Sequence, residues 1–166
     1  MNAPRVDSDL LVIGLGNVER GDDAIGVRLV QAVSARSPER VEWREWGDSD
    51  ALSMAHDLLE VRCPVLVVDG ARMGARPGKW RVFDEESVRF ARAGQALSTH
   101  GIGFDDALRL ARTLGFDQPL RFFAVQVENL APGGALSQAL AERFDSLTKA
   151  LENTIDAMLT GTACER

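Results

Sequence analysis

Four side chains set the chemistry open to this sequence: the adjacent acids Asp22 and Asp23, then Asp69, then His100. The pair follows "LLVIGLGNVERG", where an apolar run meets a glycine turn. Asp69 closes the run "VLVVD", and His100 sits in the small-residue loop "STHGIG". Two carboxylates and one imidazole are suitable donors for a borderline divalent cation such as Ni²⁺ or Zn²⁺. A carboxylate in the same crevice could also act on water as a general base. Each residue has a plainer explanation as well. One of the two first-turn acids is expected to cap the next helix, leaving its neighbour to point into a crevice. Asp69 before Gly70 could form a turn. A lone loop histidine is commonly a surface residue. The other histidine, His56, lies inside a helical pattern and is discounted.

Competing chemistries fit less well. "GLGN" before a helix suggests a dinucleotide turn, but Glu19 stands where G-x-G-x-x-G needs its third glycine. Glu19, Asp22 and Asp23 would repel a pyrophosphate, which argues against a nucleotide-binding protein. Neither H-E-x-x-H nor a cysteine pair is present, so no permanent zinc is expected. There is no G-x-S-x-G elbow to support a serine nucleophile, and Ser98 has no distinguishing context.

The elements that must position these residues follow from periodicity. Residues 9–15 read as a buried strand ending at Gly14 and Gly16. A helix is predicted over 22–35, with Ile25, Leu29, Val30 and Val33 on one stripe. Residues 40–46 alternate as a strand. A helix over 49–60 turns Leu52, Ala55, Leu58 and Leu59 inward, with Asp48 or Ser49 as cap. Residues 65–69 form the clearest buried strand, and 79–83 a short strand after the "RPGK" turn. The stretch 84–99 is irregular or weakly helical. A helix over 103–114 carries Phe104, Ala107, Leu108, Ala111 and Leu114 inward, with Gly115 as its stop. A strand over 120–127 precedes a long helix over 137–159, striped by Leu140, Phe144, Leu147, Leu151, Ile155 and Met158. Strands alternating with helices imply an α/β fold, a mainly parallel sheet covered on both faces. Ligands of such sheets bind beyond the carboxyl ends of the strands. The turns after Leu15 and after Val68 should therefore open into one crevice.

Bulk properties narrow the class. A chain of 166 residues without a linker fits one domain, 1–166. A net charge of −6 without a Lys/Arg cluster excludes nucleic acid as a partner. Two cysteines cannot build a disulfide framework; Cys63 reads as a small buried residue, and Cys164 lies in a polar tail. The polar N-terminus is not expected to act as a signal peptide, and no apolar stretch is long enough to cross a membrane. A reducing cytoplasm is the expected compartment. The long helix stripe can be satisfied within one chain, which favours a monomer.

"VIGLGNVERGDDAIGVRLV", "VLVVDGARMGARPGKWRVF", "STHGIGFDDALRLARTLG" and "VQVENLAPGGALS" occur in that order. Together they resemble the successive signatures of the nickel–iron hydrogenase maturation endopeptidases, over roughly residues 10–140. The resemblance implies a cytoplasmic, monomeric protein with a three-layer, phosphorylase/hydrolase-like fold, a twisted five-stranded sheet between helices. It implies removal of a short C-terminal extension from a hydrogenase large-subunit precursor already loaded with nickel. The family's metal-contacting residues match Asp23, Asp69 and His100, with Asp23 and Asp69 the catalytic candidates. Gly14, Gly16 and Asn17 match its tight turn, expected to position substrate. Nickel is then expected to arrive with the precursor and to serve as the recognition signal. The rival reading is a chaperone-like binder of the precursor that does not cut. The sequence departs from the family pattern where "QVEN" replaces "G-x-E-P", putting Gln126 and Asn129 in place of glycine and proline.

Overall fold

In the computed structural model, which describes residues 8–36, 39–47, 49–87 and 101–163, the three strongest apolar runs are strands. These are β1 (Leu10–Leu15), β3 (Val65–Ala71) and β5 (Leu120–Gln126). With β2 (Val41–Trp46) and β4 (Trp80–Asp84) they form one sheet in the order β2-β1-β3-β5-β4. β1 runs parallel to β2 and β3, and β3 parallel to β5; β4 lies antiparallel at the edge. This is the mainly parallel five-stranded α/β sheet expected.

Helices α1 (Ile25–Ser34), α2 (Ala51–Leu59), α3 (Gly101–Thr113) and α4 (Gln138–Ala163) cover it. Alternation along each strand divides the core in two. Leu11, Ile13, Val65, Val67 and Phe122 pack with α2 and α3. Leu10, Val12, Leu66, Val68 and Phe123 pack with α1 and α4. The central strands are buried on both faces, so they read as unbroken apolar runs. The long stripe on α4 packs as its spacing requires, with Leu140, Leu147, Leu151 and Ile155 buried and Phe144 and Met158 partly so.

Three local expectations need correction. First, α2 is capped by Asp50, whose carboxylate accepts from the Ser53 N–H at 2.9 Å, so neither Asp48 nor Ser49 is the cap. Asp48 itself lies outside the described residues. Second, Leu52 is 70% exposed, and Met54 takes the inward place. At 100° per residue Leu52 stands about 120° round the helix from Leu58, whereas Met54 and Ala55 flank it closely. Third, Leu114 lies past the end of α3 and is exposed. Gly115, at φ 110°, turns the chain there, and the Phe116 N–H returns to the Ala111 carbonyl at 2.9 Å. Phe116 then fills the core position, as the residue after a glycine stop commonly does. Residues 85–87 are helical, and the rest of the expected irregular stretch lies outside the described residues.

Cys63 is buried in the core on the α2/α3 side, as expected. Burial first, and the charge of Glu42 second, push its thiol from 9.0 up to about 11. The unfolded chain therefore releases this proton near pH 9, and the folded chain not until near pH 11. The stabilising contribution is complete below pH 9 and disappears as pH rises to 11. In a Cys164→Ser variant, native Cys63 is expected to react with iodoacetamide at pH 8 at least about a hundredfold more slowly than in urea, since only thiolate attacks. Equal rates would show that the thiol is accessible and ionised.

Candidate active site

β1 lies between β2 and β3, and the chain leaves it toward β2. The loops after β1 and β3 therefore part at the carboxyl edge, where open α/β sheets bind ligands.

The first turn is built by glycine and asparagine. Gly14 sits in β1 where an added Cβ would stand 2.9 Å from the Gly26 carbonyl oxygen, so α1 packs directly on the strand backbone. Gly16 has φ 141°, and a Cβ there would run into the Asp23 carbonyl oxygen. The Asn17 side chain accepts from the Glu19 N–H at 2.9 Å, and its carbonyl from the Arg20 N–H at 3.2 Å. These bonds fold residues 17–20 back on themselves. Gly16 and Asn17 thus form a tight turn, with Gly14 in the strand that leads into it.

A 3₁₀ turn, Gly21–Ala24, follows and presents both acids. Neither is an N-cap: the cap positions are Arg20 for this turn and Ala24 for α1, and no side chain caps either. Asp22, 0% exposed, is instead bonded across the fold. Its Oδ2 accepts from the N–H groups of Glu128 at 2.8 Å and Asn129 at 2.9 Å, and from the Ser137 hydroxyl at 2.9 Å. Its Oδ1 accepts from the Ser137 N–H at 2.7 Å. Asp23 is 5% exposed, and its Oδ2 accepts from the Asn17 N–H at 3.3 Å. The capping expectation fails because these donors, in the loop after β5, claim Asp22.

Asp69 lies near the end of β3, opposite Ala124 of β5, and is 5% exposed. Alternation puts it on the face of Val65 and Val67, toward α2 and α3. The turn carrying Asp23 packs against the same strand: a Cβ on Gly70 would stand 3.5 Å from the Asp22 carbonyl oxygen and 3.4 Å from Ile25 Cγ2. The two acid-bearing segments therefore lie beside one another at one edge, the Asp23 turn against the Gly70 face of β3 and the Asp69 side chain on the other face. His100 lies outside the described residues. The helix that follows it, α3, starts at that edge too. Phe104 in its first turn lies against Trp46, the last residue of β2, with ring centroids 6.3 Å apart. Among the described residues, no group of three His, Cys, Asp or Glu side chains could hold a metal ion. His56 is on the surface, beside Asp57.

Two residues of the edge were unassigned by their types alone. Gln126, in place of the family glycine, accepts on Oε1 from the Met73 N–H at 2.6 Å and the Ala75 N–H at 3.2 Å. It donates to the Val127 carbonyl at 2.8 Å. It thereby stitches the loop after Asp69 to the end of β5. Ser137, in "PGGALS", binds Asp22. A polar residue ending an apolar strand was the available signal for Gln126; nothing local marked Ser137.

The hydrogenase maturation protease family model matches residues 47–154. HupD, a hydrogenase expression/formation protein of Thiocapsa roseopersicina, is 31% identical over 157 residues, covering 92% of this chain and 68% of the relative. The hydrogenase 2 maturation protease of Escherichia coli strain K12 is 29% identical, with 90% of each chain covered. Among solved structures, the hydrogenase maturating endopeptidase HybD from E. coli superposes with a TM-score of 0.76 at 26% identity, covering 89% of this chain and 92% of that one.

Proposed function

Since this chain belongs to the hydrogenase maturation protease family and is thereby a peptidase, we propose that it removes the C-terminal extension of a hydrogenase large-subunit precursor and selects precursor that already holds nickel. The observation that carries this reading is that the Asp23 turn and the end of β3 that bears Asp69 lie beside one another at the carboxyl edge of the sheet. Asp23 and Asp69, with His100 as the family resemblance assigns it, supply oxygen and nitrogen donors and no thiolate. Such a set binds a borderline cation weakly by itself and better when the cation brings its own ligands. Nickel held by the precursor is therefore part of the substrate, and docking is gated by its presence. Gly16 and Asn17 hold the Asp23 turn in the shape that faces the incoming chain.

Hydrolysis then needs a water directed at the scissile carbonyl. Asp69 serves it either by holding the nickel that polarises the water or by taking the water's proton. The protein acts as a monomer in the cytoplasm, where the precursor is made. No helix among the described residues is long and apolar enough to cross a membrane.

The test is incubation of purified protein with nickel-loaded and nickel-free precursor, with the released C-terminal peptide read by mass spectrometry. Release from the loaded precursor alone is expected. Equal release from both would remove nickel from the recognition step. Binding without release from either would make the protein a non-cleaving chaperone.

A further inference from the structure

We infer that Asp22 is a positioning residue for this site, a latch that holds the Asp23 turn to the loop between β5 and α4. The inference rests on the reading of Asp23 given above. Asp22 accepts four hydrogen bonds, all from Glu128, Asn129 and Ser137, residues more than a hundred positions further along the chain. Backbone pairing reinforces the same junction. The Gly21 N–H donates to the Gly133 carbonyl at 2.7 Å, and the Gly133 N–H to the Glu19 carbonyl at 2.8 Å. The Asp22 N–H donates to the Asn129 carbonyl at 2.8 Å. Gly21, at φ 53°, lies so close that a Cβ would stand 2.6 Å from the Asn129 carbonyl oxygen. Residues 19–22 thus lie along residues 129–137 like a short ribbon, with Asp22 as its side-chain clasp.

The clasp is suited to geometry rather than to chemistry. Its carboxylate accepts four hydrogen bonds from protein donors and the residue is fully buried, which leaves it out of a substrate's reach. Asp23 is the next residue, and its carboxylate reaches back to Asn17 within the same turn. Any shift of the clasp is transmitted to Asp23 through one peptide bond. The loop between β5 and α4, although remote from Asp69 in sequence, therefore sets where Asp23 stands.

Asp22→Asn tests this. Whichever way the amide is turned, its NH₂ meets at least one backbone N–H that formerly found an oxygen. The turn must shift, while the side-chain volume is unchanged. The expected result is a folded protein whose kcat for loaded precursor falls about tenfold to a hundredfold, as displacement of a reacting group by an ångström does. Its KM should stay close to the original. Faster amide exchange at Glu128, Asn129 and Ser137 should accompany the loss. Ser137→Ala, which removes one of the four bonds, should lower kcat about two- to fivefold. A folded Asp22→Asn protein with unchanged kcat, or with only KM raised, would overturn the inference. If Asp22→Asn does not fold, an unchanged kcat in Ser137→Ala overturns it. Asp23→Asn is the reference: full activity there would sink the reading of Asp23 itself. An inactive Asp23→Asn beside a fully active Asp22→Asn would sink only the latch.

Discussion

Asp69→Asn is expected to reduce cleavage of nickel-loaded precursor by about 10²–10⁴-fold, the range typical of losing a general base. The amide has the same shape as the carboxylate but no charge, so it is a poor ligand for a hard or borderline cation and a negligible base. Either route to hydrolysis fails at this step. The residue lies in a strand held on both sides, with β1 pairing along Leu11–Gly14 and β5 along its full length. The backbone therefore has little reason to move, and the loss should appear without unfolding. Peptide release measured by mass spectrometry, beside a thermal melt of the same preparation, separates the two. A variant that melts normally and cleaves at the original rate would remove Asp69 from the site.

Gly26→Ala is expected to destabilise the fold by at least about 3 kcal/mol, the upper end of what overpacking usually costs. Helix propensity alone points the other way, since alanine in a helix interior is favoured over glycine by about 1 kcal/mol. Packing decides the sign. A Cβ on Gly26 would run into the carbonyl oxygens of both Leu15 and Val68. These belong to the central strands β1 and β3, and a sheet backbone cannot step aside as a side chain tip can. The melting temperature should fall by about 6–12 °C for a chain of this length. A gain in melting temperature would mean that α1 can lift off the sheet. The same lift would carry the Asp23 turn with it, so the variant should also lose activity in the cleavage assay.

Much of this architecture is legible because its causes are local. Strands buried on both faces need apolar side chains at every position, and "LLVIGL", "VLVVDGA" and "LRFFAVQ" satisfy that within a few residues. The stripe on α4 likewise repeats along its own length. Gly16 marks a place where the backbone turns. The acids Asp23 and Asp69 stand out because carboxylates beside buried strand ends are costly unless something uses them.

Other features were decided by partners far along the chain. Asp22 looks like a helix cap when judged by its neighbours, since acids favour a helix start. Its donors lie 106 to 115 residues away, so only the folded chain could assign it to a latch. Gln126 serves N–H groups 51 and 53 residues before it, and without them reads as a mere departure from pattern. The antiparallel direction of β4 was equally hidden, because the alternation of a short strand is the same whichever way its neighbour runs. Residue type and periodicity therefore announced which groups could act and which segments would be buried. The folded sheet edge determined which of two adjacent acids binds the loop before α4, because a hydrogen bond is satisfied by whatever donor arrives in space, not by the nearest one in sequence.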